Sequence, residues 1–178
     1  MRIGLARHFP VSEPWPRGWR TCAELQAWRH RYDSAAVDPL PVADETPRWA
    51  RCYCSDLSRA AATARALFGG PVTLLPALRE AEFATFRTGG LRLPMWAWRN
   101  LIRLAWMCGH GSQKKTRDDF FSRVRSVADL VESQTQDLLL VSHAGMMLFL
   151  RKELLRRGFR GPRIGIADHA RVYEFQRV

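Results

Sequence analysis

Five residues of this chain carry side chains suited to chemistry on an anion, and each lies at or shortly after the end of a predicted strand. They are Arg7, His8, Arg59, Glu80 and His143. An imidazole is a nucleophile or a base near neutral pH, a guanidinium binds anions, and a carboxylate transfers protons. The set therefore points to a reaction on a negatively charged substrate.

The elements that must position these residues alternate between strand and helix. Short apolar runs predict strands over residues 2–7, 49–54, 72–75, 138–141 and 171–176. Helical spacing predicts helices over 22–32 with Thr21 as its cap, from a cap at Ser55 or Asp56 to Leu67, and over 95–107, 116–132 and 146–157. This order predicts an α/β fold with a mostly parallel central sheet flanked by helices.

Ligands of open α/β sheets bind beyond the carboxyl ends of the strands, so the residues at those ends are expected to converge on one rim. The first four predicted strands each end close to residues that can bind or react, those of the third strand lying a few residues further on. The residues delivered to the rim are Arg7 and His8, then Ser55, Asp56 and Arg59, then Arg79 and Glu80, and finally Ser142 and His143.

Four segments resemble, in order, the motifs of the histidine phosphatase superfamily, which has the phosphoglycerate mutase-like fold. Arg7 and His8 are similar to the start of its Arg-His-Gly signature. Residues 55–60 (S-D-L-S-R-A), 78–83 (L-R-E-A-E-F) and 139–145 (L-L-V-S-H-A-G) resemble its S-x-L-x-R-A, L-x-E and S-H-G/A-G segments. The resemblance implies a three-layer sandwich, one domain over residues 1–178, and a place among the small bacterial phosphatases.

The resemblance also implies covalent phosphoryl transfer, with neither a metal nor a cofactor. His8 would attack the phosphorus, while Arg7, Arg59 and His143 would hold the phosphoryl oxygens. Arginines beside an imidazole oppose its protonation and so favour its nucleophilic form. Glu80 is expected to be the general acid and base, with Glu82 as the alternative.

Two departures from the family pattern bear on activity. Phe9 stands where the family has glycine, and residues 9–15 (F-P-V-S-E-P-W) replace a polar segment that supplies a phosphoryl donor. Ser12 is the candidate to supply that donor. His30 and His169 have no convergent partners and are expected to lie outside the site, whereas His110 is expected to be a loop histidine, with a place in the site as the alternative.

A tryptophan- and arginine-rich segment is expected to form an insertion at about residues 84–113. Two interpretations stay open for it: its aromatic residues form ordinary core, or they cap the site and shape the substrate pocket. The tryptophans are Trp96, Trp98 and Trp106, and the arginines that would bind further negative groups are Arg87, Arg92, Arg99 and Arg103.

The function that these features favour is phosphomonoester hydrolysis on a small phosphorylated metabolite. One alternative is a degenerate member that binds a phospho-ligand or nucleic acid through its basic surface, since the net charge is +11. A second is phosphoglycerate mutase-type transfer. No nucleic-acid motif accompanies the charge, so neither nucleic acid nor a membrane is expected as a partner.

Composition excludes several classes of protein. With 47% hydrophobic and 25% charged residues the chain is globular rather than disordered. No apolar run approaches 18 residues, and the start lacks a signal-peptide pattern, which predicts a cytoplasmic protein. Cys52 and Cys54 alternate along a strand and are expected to be buried, reduced hydrophobes.

Overall fold

A computed structural model describes residues 1–41, 49–86 and 88–177. Arg87, one of the arginines of the predicted insertion, falls outside the described residues. The chain divides into two compact units. We call them the sheet unit (Met1–Pro10, Val37–Glu80 and Ser122–Val178) and the aromatic unit (Val11–Ala36 and Ala81–Phe121).

The described residues form eight strands and five α-helices. The strands are β1 (Arg2–Arg7), β2 (Trp19–Arg20), β3 (Arg51–Cys54), β4 (Val72–Leu74), β5 (Leu93–Pro94), β6 (Leu138–Ser142), β7 (Phe159–Arg160) and β8 (Val172–Arg177). The helices are α1 (Cys22–Ser34), α2 (Ser58–Leu67), α3 (Met95–Met107), α4 (Lys114–Glu132) and α5 (Ala144–Arg156). Every predicted strand and helix is confirmed to within two residues at each end, apart from the start of α2. β2, β5 and β7 are not predicted, because two residues are too few to show alternation.

Six strands of the sheet unit form one sheet in the order β4-β3-β6-β1-β8-β7. β4, β3, β6 and β1 run parallel, and β8 and β7 close the sheet in antiparallel fashion. The registers pair Arg7 with Ser142 and Cys54 with Val141, so β1, β3 and β6 end in line. The predicted α/β fold with a mostly parallel sheet is confirmed, and its carboxyl edge is where the candidate residues are delivered.

One face of this sheet packs against the alanines of α2. Cys52, Cys54, Leu139 and Val141 pack with alanines of α2 in a single buried cluster. Burial raises the pKa of Cys52 to about 12 and that of Cys54 to about 11, so both remain thiols. The prediction that these cysteines act as small hydrophobes is confirmed.

The start of α2 differs from the prediction. Its N-cap is Leu57, which makes no side-chain capping bond, and not Ser55 or Asp56. The Ser55 hydroxyl hydrogen-bonds with His143 instead, and the Asp56 carboxylate accepts two hydrogen bonds from Arg79. Both polar side chains therefore form hydrogen bonds at the carboxyl edge of the sheet and do not cap the helix.

The aromatic unit contains α1, α3 and the two-stranded β2-β5 sheet. Thr21 and Glu24 form a reciprocal capping box at the start of α1. Trp98 and Trp106 are buried, and the Trp98 indole donates to the Arg20 carbonyl oxygen at 2.6 Å. The core interpretation is correct for these two tryptophans, whereas Trp96 is 65% exposed.

No helix within the described part of the chain is both long enough and apolar enough to cross a membrane.

Candidate active site

The ends of β1 and β6 place two histidines side by side. The His8 backbone N–H donates to the Ser142 carbonyl oxygen at 3.0 Å, which continues the pairing of the two strands. The His8 and His143 rings lie 5.0 Å apart, centroid to centroid, and both are almost fully buried. Two of the predicted residues are thus in direct contact.

The hydrogen bond of the His8 ring determines which ring nitrogen carries the proton and which keeps its lone pair. Nδ1 lies 2.5 Å from the Phe9 carbonyl oxygen, and a carbonyl only accepts, so Nδ1 carries the proton. Burial lowers the pKa of His8 to about 3, with smaller contributions in the same direction from Arg59 and Arg7. The ring is neutral near pH 7, and its Nε2 lone pair is that of a nucleophile.

Both predicted arginines lie close enough to the two histidines to act on them electrostatically. Arg59 is in the first turn of α2 and is 4% exposed, while Arg7 ends β1 and donates to the Ala167 carbonyl oxygen at 2.8 Å. Each lowers the pKa of His8 and of His143. A buried and a half-buried guanidinium beside a neutral imidazole make a favourable place for an anion.

His143 is held by one ring nitrogen, and its other ring nitrogen has no hydrogen-bond partner within the described part of the chain. Its Nε2 lies 3.0 Å from the Ser55 hydroxyl oxygen. Its Nδ1 is buried and has no hydrogen-bond partner among the described residues. Burial, followed by the charges of its neighbours, lowers its pKa well below the usual value, so this ring is neutral as well.

The Glu80 carboxylate is fixed against the start of α5. Its oxygens accept hydrogen bonds from the backbone N–H groups of Gly145, at 3.0 Å, and Met146, at 3.1 Å. A Cβ at position 145 would collide with the carboxylate, which explains the glycine two residues after His143. Glu82, the alternative acid, is exposed and belongs to the aromatic unit.

Two further residues hold the segment that carries Glu80. The Ser142 hydroxyl donates to the Leu78 carbonyl oxygen at 2.7 Å. The Arg123 guanidinium, on α4, donates to the carbonyl oxygens of Ala77, Arg79 and Glu80 at 3.2, 2.8 and 3.4 Å. Arg123 is not among the predicted residues, because nothing in its helical sequence context distinguishes it from other surface arginines.

The backbone amide of Phe9 is engaged within the protein. It donates to the Thr63 hydroxyl at 2.7 Å, and that hydroxyl donates to the Arg59 carbonyl oxygen at 2.8 Å. The Phe9 ring is buried. Ser12 lies in the aromatic unit, where its hydroxyl donates to the Ala36 carbonyl oxygen at 3.2 Å.

His169 is a further residue near His8 that sequence reasoning missed. It follows β7 in a loop and makes a bridge to Arg7. Its ring lies 5.4 Å from the His8 ring, and its Nδ1 lies 2.5 Å from the His8 carbonyl oxygen. The neighbouring Ala170 has a positive φ of 60°. No strand ends just before His169, so the strand-end rule gave no signal for it.

The arrangement joins a neutral imidazole, two cations, a ring nitrogen without a partner among the described residues, and a positioned carboxylate at one sheet edge. These groups suit transfer of a phosphoryl group to nitrogen, because the cations can hold its oxygens while the imidazole attacks. Within the described ranges no three histidine, cysteine, aspartate or glutamate side chains are grouped so as to hold a metal ion.

Solved structures of related fold match nearly the whole chain. A mycobacterial glucosyl-3-phosphoglycerate phosphatase is 20% identical, with 97% of this chain and 88% of that chain covered at a TM-score of 0.54. A phosphoglycerate mutase from Bacillus anthracis is 13% identical, with 99% and 88% covered, also at 0.54. A variant phosphoserine phosphatase from Entamoeba histolytica, in complex with phosphoserine, is 15% identical, with 87% and 80% covered at 0.51. At these identities the likeness shows the fold, which confirms the phosphoglycerate mutase-like architecture.

No curated protein matches the chain in sequence. The family model that describes the histidine phosphatase superfamily (branch 1) matches residues 42–177, about three quarters of the chain. The match spans three of the four motifs, around Arg59, Glu80 and His143, and it confirms the resemblance. The chain belongs to branch 1 of the histidine phosphatase superfamily.

Proposed function

We propose that this protein is a phosphomonoester hydrolase that works through a phosphohistidine on His8. The observation that carries the proposal is the state of His8, a buried neutral imidazole whose Nδ1–H is bonded to the Phe9 carbonyl. Its Nε2 lone pair is therefore available, and Arg7 and Arg59 are close enough to attract a phosphate.

In the first step Nε2 of His8 attacks the phosphorus and forms the P–N bond, while the P–O bond to the leaving alcohol breaks. Glu80 gives a proton to the leaving oxygen. In the second step water attacks the phosphorus, Glu80 takes a proton from that water, and the P–N bond breaks to release inorganic phosphate. No metal or cofactor takes part in the proposed steps.

The other site residues would hold the phosphoryl group. Arg7 and Arg59 would bind its oxygens and offset the charge that develops in the transition state. If the Ser55 hydroxyl donates to Nε2 of His143, then Nδ1 of His143 carries a proton. That buried N–H, which has no partner among the described residues, would donate to a further phosphoryl oxygen.

The substrate that we propose is a small phosphorylated metabolite. The structural relatives support this class, since their names include a phosphorylated sugar acid derivative, a phosphoglycerate and a phosphoamino acid. The proposed setting is the cytoplasm.

The test is release of phosphate from an aryl phosphate in the presence of a chelator. Wild type should turn over the substrate, and His8→Ala should be at least about 1,000-fold slower because the nucleophile is gone. Brief exposure to labelled substrate should place label on wild type only, stable in base and lost in acid. His30→Ala, which removes an exposed histidine of α1, is the matched control and should retain activity.

Three results would count against the proposal, each in a different way. Equal activity of wild type and His8→Ala would remove His8 as the nucleophile. Binding of inorganic phosphate without turnover of any phosphomonoester would favour the phospho-ligand module. Transfer of the label between phosphoglycerates, rather than to water, would favour the mutase reaction.

A further inference from the structure

The peptide group that joins His8 to Phe9 is hydrogen-bonded by a side chain at its carbonyl oxygen and by another at its N–H. Its carbonyl oxygen, which belongs to His8, lies 2.5 Å from Nδ1 of His169. Its N–H, which belongs to Phe9, donates to the Thr63 hydroxyl at 2.7 Å. Because a carbonyl only accepts, Nδ1 of His169 must be the donor. Both hydrogen-bonding groups of this peptide are thus used by side chains from distant parts of the chain.

The next carbonyl along the chain is the one that binds the nucleophile. The Phe9 carbonyl oxygen accepts the hydrogen bond from Nδ1 of His8 at 2.5 Å. A rotation of the His8–Phe9 peptide would shift the Phe9 backbone and carry this acceptor away from the ring. The orientation of the peptide therefore controls whether Nδ1 keeps its proton and whether Nε2 keeps its lone pair.

We propose that Thr63 and His169 are positioning residues that clamp the His8–Phe9 peptide and so hold the His8 ring in its Nδ1–H tautomer. The inference rests on the proposed role of His8 as nucleophile. It also bears on the phenylalanine that follows His8, because the clamp engages the Phe9 amide within the protein.

Thr63 extends the clamp to the phosphate-binding side of the site. Its hydroxyl accepts from Phe9 and donates to the Arg59 carbonyl oxygen at 2.8 Å, so both of these bonds have a defined direction. Thr63 and Arg59 lie one turn apart on α2, and both side chains are buried. A single hydroxyl thereby links the peptide of the nucleophile to the helix turn that carries Arg59.

Two pairs of variants separate the hydrogen bonds from the packing. His169→Asn keeps an N–H donor at the same number of bonds from Cα as Nδ1, whereas His169→Leu removes it. Thr63→Ser keeps the hydroxyl, whereas Thr63→Val removes it with little change of volume. The control is Thr73→Val, on the exposed part of β4.

The first measurement is the tautomer of His8, read from ring ¹⁵N chemical shifts of the resting protein without substrate. Wild type, His169→Asn and Thr63→Ser should show one Nδ1–H form, whereas His169→Leu and Thr63→Val should show a mixture. In the aryl phosphate assay, His169→Leu and Thr63→Val should each lower kcat by about 10- to 100-fold, since small misplacements of a reacting group have such costs. KM should stay within about two-fold, because the phosphate-binding arginines remain.

The double variant of His169→Leu and Thr63→Val should lose less than the product of the single losses, because both act on one peptide. An unchanged His8 tautomer in both His169→Leu and Thr63→Val would overturn the clamp, and so would equal losses in His169→Asn and His169→Leu. The tautomer is measured without turnover. A wild type that lacks phosphatase activity would therefore contradict the proposed function, while the ring ¹⁵N shifts would still test the clamp. If His169→Leu fails to fold, the His8 tautomer in Thr63→Val tests the clamp, because valine is close in shape to threonine.

Discussion

Gly145 is a residue whose role follows from a single atom that it lacks. A Cβ at this position would overlap the Glu80 carboxylate, which accepts hydrogen bonds from the Gly145 and Met146 N–H groups. Alanine is otherwise the better residue inside a helix, by about 1 kcal/mol. Because of that overlap the carboxylate must move in Gly145→Ala, and the better helix propensity of alanine offsets the weakened hydrogen bonds to the two N–H groups.

We expect Gly145→Ala to lower kcat by about 10- to 100-fold through displacement of Glu80, the proposed acid-base group, with the thermal midpoint nearly unchanged. Steady-state kinetics and thermal unfolding measure the two effects separately. Gly165→Ala is the control, since a Cβ there meets nothing within 4 Å. Full activity of Gly145→Ala would show that the position of Glu80 does not matter for turnover.

Among the individual site residues, those delivered by strand ends could be predicted from the sequence, whereas His169 and Thr63 could not. Arg7, His8 and His143 could be found because parallel strands bring their carboxyl ends to one edge. His169 arrives by a bridge from an irregular loop, and Thr63 is an ordinary-looking threonine inside a helix. Their importance lies in hydrogen bonds to backbone groups, which have no signature in residue type or spacing.

The 3₁₀ turn Pro76–Leu78 and the Glu80 segment after it depend on α4 for their position. Arg123 bridges three carbonyl oxygens of this segment, whereas Arg125 of the same helix is exposed. Removing a charged donor from several buried or half-buried carbonyls costs about 1–3 kcal/mol. The loss should be local, because the core side chains of α4 are unaffected.

We expect Arg123→Ala to lower kcat about ten-fold, as the Glu80 segment loosens, and to destabilise the protein by about 1–2 kcal/mol. Urea unfolding and kinetics would measure both quantities. Arg125→Ala, at the exposed position, should change neither. If the two variants behave alike, α4 contributes no more than packing to the site.

The regular elements were predictable because burial imposes a period on them. The run of three leucines and a valine in β6 is fully buried, and α3 was predicted with both of its ends correct. Strand order and the two-residue strands were not predictable, because alternation of elements carries no information on which strands pair. The cap of α2 was wrong because Ser55 and Asp56 bond to partners that are remote in sequence.

The molecule as a whole carries a net charge of +11 and buries two histidines in neutral form. In the unfolded chain a histidine takes up a proton near pH 6.5, whereas folded His8 does so only near pH 3. Between these values the unfolded state binds more protons, so the free energy of unfolding must decrease as the pH falls. The lowered pKa of His143 acts in the same direction.

From pH 7 to pH 5, His8 alone should lower the free energy of unfolding by about 2 kcal/mol. The carboxylates with lowered pKa values, such as Asp56 and Asp137, keep their stabilising contribution in this range, because it is lost only below their unfolded values near 4. Urea unfolding of wild type and His8→Gln at both pH values isolates the histidine. The glutamine variant should lose about 2 kcal/mol less than wild type, because its side chain does not titrate. Parallel losses in the two proteins would mean that His8 takes up its proton at an ordinary pH in the folded state, so that burial would not hold its imidazole neutral at pH 5.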